Sequence, residues 1–213
     1  MKILRWTPVL ALTALLLPLA CDDATGPSAG PAQVQILLTD APTDYLEATW
    51  VCFSSVYLVP GKDREENEGV EKGPNWVYLF DEPDPDDHLC YDLLELRDGI
   101  TTDLTDRVDV EPGEYGQLRL VVSSAEVWLK EPYEFRNGGD WRPLFIPSGA
   151  QTGIKVHLKE PIEAENGTLI IITVDFDVNE NFVIQGNPYT PAGIHGILFT
   201  PVLKEKSRTT EGA

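Results

Sequence analysis

The sequence predicts an all-β protein whose fold is a single antiparallel β-sandwich of the immunoglobulin-like or transthyretin-like kind. Apolar and polar residues alternate with a period of two in many short segments, as expected for strands with one buried face. Turn-forming pairs such as Pro112-Gly113 and Asn166-Gly167 separate these segments. Short strands at this spacing favour two packed sheets over alternating strands and helices.

The first strand is predicted near residue 33, where Val34, Ile36 and Leu38 alternate with glutamines. Leucines group together only within residues 91–97, which predicts one helical turn at most. A sandwich of about eight to ten strands accounts for the whole pattern. The other strand-like segments cover residues 50–59, 117–122, 154–158, 170–178, 182–184 and 197–203.

Residues 1–20 are similar to a bacterial secretory signal. Lys2 and Arg5 form a short basic region, and the apolar stretch Val9–Leu19 is too short to span a membrane as a helix. Ala20-Cys21 resembles the lipobox of bacterial lipoproteins, which implies that the Cys21 thiol carries diacylglycerol and that the signal peptide is removed. A secretory signal without lipid is the alternative.

The remaining chain divides into three parts. Residues 21–31 are small and polar, which predicts a flexible tether behind the lipid. Residues 32–205 contain no break in composition and are predicted to form the β domain, and residues 206–213 a polar tail. The lipid predicts attachment to a membrane of the cell envelope, with the domain facing the periplasm or the exterior. Asp22 and Asp23 resemble an inner-membrane retention signal, but this code differs between bacterial groups, so the choice between inner and outer membrane stays open.

The charge balance excludes one class of partner. Lysine and arginine contribute 16 residues and aspartate and glutamate 35, so the net charge is −19. Such a surface repels phosphate backbones, and no nucleic-acid partner is expected. The same charge suits divalent cations, basic partners, or solubility alone.

Export also bears on the two other cysteines. Cys52 and Cys90 form an even pair in an oxidising compartment, and each lies in an apolar, strand-like segment. A disulfide between them would close a loop of about 38 residues and destabilise the unfolded chain by ~3–4 kcal/mol. Their Cα atoms would then lie about 4.4–6.8 Å apart. Two buried free thiols are the alternative.

The sequence contains no recognisable catalytic constellation. His88, His157 and His195 are far apart along the chain, and neither a Gly-x-Ser-x-Gly nor a His-Glu-x-x-His motif occurs. The sequence therefore predicts a non-catalytic module with a binding or structural role. A hydrolase is the weakest alternative.

Calcium binding is a sharper alternative. Asp175, Asp177 and Asn179 supply oxygen ligands at every second residue, as the first half of an EF-hand loop does. The glycine and the final glutamate of an EF-hand loop are missing, so the segment is not an EF-hand. Asp84 and Asp86 are candidate ligands in a second acidic segment. Calcium is thus the one cofactor that the sequence suggests.

Carbohydrate binding is the other alternative, because exported β-sandwiches often present a sheet face or loops to glycans. Three or more exposed, coplanar rings on one face would favour a glycan. Clustered carboxylates without rings would favour a metal ion. The side chains that could form an aromatic platform are Trp76, Trp128, Trp141, Tyr133 and Tyr189.

A series of short motifs resembles the bacterial family called domain of unknown function 4382, which is common in exported lipoproteins. The motifs, in chain order, are Leu38–Pro42, Asp92–Leu96, Pro112–Leu120, Ile146–Gly149 with Thr152–Lys155, Asp175–Asp177 and Thr200–Leu203. The stretch Asn187–Gly196 departs from the family pattern. The resemblance implies the fold and an exported lipoprotein, and it implies no activity.

Lipidation of Cys21 leads to the first testable prediction. Cys21→Ser removes the acceptor thiol, so the variant should leave the membrane fraction or remain unprocessed. Membrane fractionation and mass spectrometry of the mature N-terminus measure this. An unacylated mature N-terminus in the wild-type protein would contradict the prediction.

Overall fold

The structure is a computed structural model that describes residues 30–40, 44–61, 75–146, 153–190 and 192–212. Cys21, the predicted signal peptide and nearly all of the tether lie outside the described residues. The helical turn predicted within residues 91–97 is the 3-10 turn Leu93–Leu96. A second 3-10 turn covers Pro85–Asp87, and helix α1 covers Val178–Asn181. None of the described helices is both long and apolar enough to cross a membrane.

Strands dominate the described ranges. They are β1 (Ala32–Thr39), β2 (Leu46–Pro60), β3 (Val77–Asp81), β4 (Leu89–Asp92), β5 (Thr102–Asp103), β6 (Val108–Val110), β7 (Gly113–Leu129), β8 (Trp141–Pro143), β9 (Ile154–His157), β10 (Ile162–Ala164), β11 (Leu169–Asp175), β12 (Phe182–Asn187), β13 (Gly193–Phe199) and β14 (Leu203–Glu211).

All strands except β12 and β13 form one mixed sheet, which curls strongly into a half-barrel. The main path of the sheet runs β3-β2-β7-β9-β14-β11-β1-β5. β4 adds to β2, β6 adds to β1, and β8 and β10 add to β7. β12 and β13 form a separate antiparallel hairpin. The prediction of a β-rich domain is confirmed.

The prediction of a purely antiparallel sandwich is wrong in two respects: some strands pair in parallel, and a single curled sheet stands in place of two packed sheets. β1 pairs with β11 in parallel from Gln33 to Thr39, and β9 pairs with β14 in parallel. One curled sheet surrounds the core because β9 joins its two halves, with Ile154 paired to β7 and Val156 paired to β14. The period-two pattern is the same in parallel and antiparallel strands, so the sequence could not distinguish them.

The C-terminal residues also differ from the prediction. Residues 206–211, expected in a polar tail, belong to β14, which lies between β9 and β11 inside the sheet. Leu203 and Glu205 are buried, and Arg208 Nη2 donates a hydrogen bond to Glu205 Oε2 at 2.7 Å. Most other side chains of β14 face solvent. Because strand formation here depends on backbone pairing to two neighbours, the polar composition concealed the strand.

The core fills the inside of the curl. Phe176 stacks on Phe199 with ring centroids 6.0 Å apart, which attaches the β12–β13 hairpin to the core. Every second side chain of the surrounding strands points inward, as the alternating pattern predicts. The fully buried side chains of β1 and β11 include Val34, Ile36, Leu38, Ile172 and Val174.

β2 and β7 are the longest strands, and a pair of bulges interrupts their ladder. Ser54 in β2 and Ser123 in β7 are extra residues without a partner in the ladder. A bulge of one residue exchanges the inward and outward faces of a strand. Core residues of β7 are accordingly even-numbered from Leu118 to Val122 and odd-numbered from Ala125 onward. Because each strand has one extra residue, the two bulges compensate each other in register, and β2 and β7 stay paired before and after the bulges.

The position of β14 leads to the second prediction. A chain that ends after Val202 lacks β14, and β9 and β11 would then have unpaired edges inside the sheet. We expect this variant to lose its cooperative thermal transition and its near-ultraviolet circular dichroism. Removal of Gly212 and Ala213 alone, which follow β14, should leave the transition unchanged. A shortened chain as stable as the full chain would rule out a central role for β14.

Candidate functional site

The bulges divide the outer face of β2 and β7 into a covered half and an open half. In the covered half, Tyr57 stacks on Trp76 with centroids 4.6 Å apart, and Arg119 lies 5.8 Å from the centre of the Trp76 ring. All three side chains are buried. Burial raises the pKa of the Tyr57 hydroxyl, and the Arg119 charge opposes that rise. The open half is therefore the part of this face that a ligand can reach.

Three tryptophans lie on the open half, on three adjacent strands. Trp50 belongs to β2, Trp128 to β7 and Trp141 to β8. Trp128 and Trp141 are opposite in the ladder, with ring centroids 6.3 Å apart and planes inclined by 48°. Trp50 and Trp141 are each 42% exposed. We call these three side chains, together with Glu126, the tryptophan face.

Glu126 occupies the middle of the tryptophan face. In the ladder it is opposite Trp50 on one side and Pro143 on the other. Trp141 Nε1 donates a hydrogen bond to Glu126 Oε2 at 3.1 Å. This bond holds the carboxylate beside the indole rings and leaves its second oxygen able to accept a hydrogen bond from a ligand.

A disulfide borders the tryptophan face. Cys52 and Cys90 are directly opposite on β2 and β4, and their sulfur atoms are bonded at 2.05 Å. The Cα atoms are 4.0 Å apart, slightly closer than the sequence-based expectation. A shallow groove of about 400 Å³ extends from the disulfide past Ser124 to Trp50 and Trp128. The site is thus an open groove on a rigid sheet.

The five aromatic residues expected in one platform lie in three separate places. Trp76 is in the covered half, whereas Trp128 and Trp141 belong to the tryptophan face. Tyr133 and Tyr189 pack edge to face, with centroids 6.3 Å apart, and 74% of Tyr189 is exposed. The five rings therefore form no common plane.

Trp50 is the member of the tryptophan face that the sequence pattern does not single out. Val56 and Leu58, which follow it in the same strand with the same even numbering, are core residues. Uninterrupted alternation would therefore place Trp50 in the core as well. The polar pairs Ser54-Ser55 and Ser123-Ser124, each inside an apolar segment, are the signals that could have revealed the bulges.

The acidic segment around Asp84 and Asp86 has a local structural role. Asp84 Oδ1 accepts a hydrogen bond from the Asp86 backbone N at 3.1 Å and thereby caps the 3-10 turn Pro85–Asp87. Across the described ranges, no three His, Cys, Asp or Glu side chains are arranged to hold a metal ion. The acids here stabilise a turn.

The second acidic segment faces lysines of β14. Asp177 accepts a hydrogen bond from the backbone N of Glu180 and caps α1. Lys206 Nζ lies 3.6 Å from Asp175 Oδ2, and Lys204 forms an ion pair with Glu180. The hydrogen bond to Glu180 raises the pKa of Lys204, and the charges of Asp177 and Asp175 add to this rise. Two ammonium groups therefore lie where the sequence suggests calcium.

The asparagines of this segment have different environments. Asn179 is exposed on α1, whereas Asn181 is fully buried. Asn181 Nδ2 donates to the carbonyls of Phe176 and Val202, and Asn181 Oδ1 accepts from the Val202 backbone N at 2.6 Å. Asn181 therefore links α1 to the segment before β14.

The three histidines lie on different elements. A ring nitrogen of His88 lies 3.2 Å from the Glu82 carbonyl oxygen, next to the 3-10 turn Pro85–Asp87. His157 is exposed on β9, and His195 is exposed on β13. The structure does not bring these imidazoles together.

The family model described as Domain of unknown function (DUF4382) matches residues 31–191, which is well over half of the chain. The chain belongs to this family. The DUF4382 match includes all strands of the tryptophan face and ends between β12 and β13. β13 and β14 follow the matched residues. Neither the curated proteins nor the solved structures contain a match to the chain.

The buried amide of Asn181 gives the third prediction. Asn181→Ala leaves the backbone N–H of Val202 and two carbonyls without their partner and removes a fully buried side chain, so the free energy of unfolding should fall by ~2–4 kcal/mol. Urea denaturation measures this change. Asn179→Ala, on the exposed side of the same helix, should cost less than ~1 kcal/mol. Similar losses in the two variants would contradict the structural role of Asn181.

Proposed function

We propose that this DUF4382 protein is an exported lipoprotein, attached to an envelope membrane through Cys21, and that its domain binds glycans on the tryptophan face without catalysing a reaction. The observation that carries the proposal is the exposure of Trp50 and Trp141 beside the carboxylate of Glu126. Large aromatic surfaces left open to solvent on a rigid sheet are typical of binding sites.

The chemistry of the tryptophan face fits a sugar. An exposed indole ring packs well against the apolar C–H face of a sugar ring, while its N–H remains available for hydrogen bonding. The free oxygen of Glu126 can accept a hydrogen bond from a sugar hydroxyl. Because the groove is shallow and open, it suits a stretch of an oligosaccharide better than an enclosed small molecule.

A protein partner is less well matched to this face. The centres of protein–protein interfaces are depleted in charged residues. Here Glu126 lies at the centre, and the aromatic rings lie around it. A glycan can satisfy the carboxylate with hydroxyl groups, whereas an apolar protein surface would bury it without a partner.

The Cys52–Cys90 disulfide supports the exported location. Disulfides persist in oxidising compartments and are rare in the reducing cytosol. The proposed tether, residues 21–31, could extend up to ~35 Å. The domain would then reach glycans near the surface of the membrane that holds the lipid.

The fourth prediction tests the glycan site. The full chain is purified in a detergent without a sugar headgroup and titrated with neutral oligosaccharides, including oligomers of glucose and of N-acetylglucosamine. Trp50→Ala and Trp141→Ala should each weaken binding by about tenfold, because each removes a stacking surface. Leu198→Ala removes an equally exposed apolar side chain from β13 and is the matched control.

Circular dichroism should show that these three variants remain folded. Binding that survives in the Trp50→Ala, Trp141→Ala double variant would place the glycan elsewhere on the domain. A wild-type protein that binds none of the oligosaccharides would reject the proposed function.

A further inference from the structure

Trp50 lies between two carboxylates. In the ladder it is opposite Asp92 of β4 on one side and Glu126 of β7 on the other. Side chains of directly opposite residues point to the same face of a sheet, with Cβ atoms about 5 Å apart. None of the described residues in register on this face is basic. Negative charge therefore flanks the Trp50 indole on both sides.

A positively charged ligand group is attracted both by the indole ring of Trp50 and by the carboxylates beside it. An ammonium group is attracted to the face of an indole ring, and this attraction is stronger for tryptophan than for other aromatic residues. A nearby carboxylate adds a charge-assisted hydrogen bond, which is stronger than a bond to a neutral hydroxyl. The same carboxylates repel an acidic sugar.

We propose that the tryptophan face selects oligosaccharides that contain free amino groups, namely hexosamine units whose nitrogen is not acetylated. This inference rests on the proposed function, since it assigns the class of glycan to the same site. The sugar ring packs on the Trp50 indole, and its ammonium group donates to the free oxygen of Glu126.

The two carboxylates have different parts in this recognition. Asp92 Oδ1 already accepts hydrogen bonds from the backbone N of Thr49 at 2.9 Å and of Leu94 at 3.1 Å. Asp92 therefore acts on the ligand mainly through its charge. Glu126 has one fixed oxygen, bonded to Trp141, and it is the direct partner of the ammonium group.

A sugar amine fits the site better than an isolated ammonium group. The tryptophan face extends over three adjacent strands and continues into a groove of about 400 Å³. A single trimethylammonium group or a lysine side chain would cover one indole and leave the others exposed. An oligosaccharide can place successive rings on Trp50, Trp128 and Trp141.

The preference for amino sugars should depend on pH, because the amino group of the sugar loses its charge as the pH rises. A sugar amine next to oxygen-bearing carbons titrates near neutral pH, as an α-amino group does at about pH 8. Glu126 and Asp92 are the acidic groups in register with Trp50 on this face. The preference should be present at about pH 6 and should disappear at about pH 9, where the sugar amine is neutral.

The test compares a glucosamine oligomer with an N-acetylglucosamine oligomer of equal length by calorimetric titration of the full chain. At about pH 6 the glucosamine oligomer should bind about tenfold more tightly. Glu126→Gln keeps the acceptor for Trp141 but removes the charge, so it should abolish most of this preference. Glu163→Gln, on β10 at the other end of β7, is the matched control.

Each outcome distinguishes the two proposals. If both oligomers bind equally and Trp50→Ala weakens both, the amino-sugar inference is overturned while the glycan-binding function stands. If Glu126→Gln keeps the preference, the assigned carboxylate is wrong and the inference fails. If neither oligomer nor any neutral glycan binds, both proposals fail. Choline or a lysine peptide that binds as tightly as the glucosamine oligomer would overturn the sugar class.

Discussion

The paired bulges in β2 and β7 determine what the domain presents to solvent. Without them, the stretches on the two sides of Ser54 and of Ser123 would keep the same face inward. Trp50 and Trp128 would then lie in the core, and the curled sheet could not bury both halves of the two strands. Ser54 and Ser123 exchange the faces at the same level of the ladder, so pairing continues. The core on one side and the exposed indoles on the other both depend on this exchange.

The features that could be predicted are those that follow from the alternation of apolar and polar residues along the strands. This alternation identifies the buried faces of β1 and β11, whereas the polar composition of residues 206–211 concealed most of β14. Parallel pairing of β1 with β11 could not be predicted, because residues far apart in the chain decide it. The candidate site could not be assembled either, since Trp50 faces solvent only because of a bulge marked by a single extra serine. The pairing of Cys52 and Cys90 could be predicted because the resemblance to a lipobox assigns Cys21 to the lipid, and the two remaining thiols allow only one intramolecular pair.

The large negative charge has no single structural meaning in this protein. Asp84 and Asp177 cap short turns by accepting backbone hydrogen bonds. Asp175 lies beside an ammonium group of β14, and Glu205 is buried against a guanidinium. Glu126 alone among these five combines a carboxylate with exposed indole rings. The environment of each carboxylate, and not the net charge, indicates which of them can meet a ligand.

The interior position of the last strand has a consequence for biogenesis. β14 is synthesised after β9 and β11, yet these two strands meet only through it. A growing chain can form the β2–β7 pair early, but it cannot close the half-barrel until β14 has also been synthesised. If the protein is exported as proposed, this late closure keeps the chain in an unfolded, translocation-competent state. Folding would then be completed on the far side of the membrane, where the disulfide can also form.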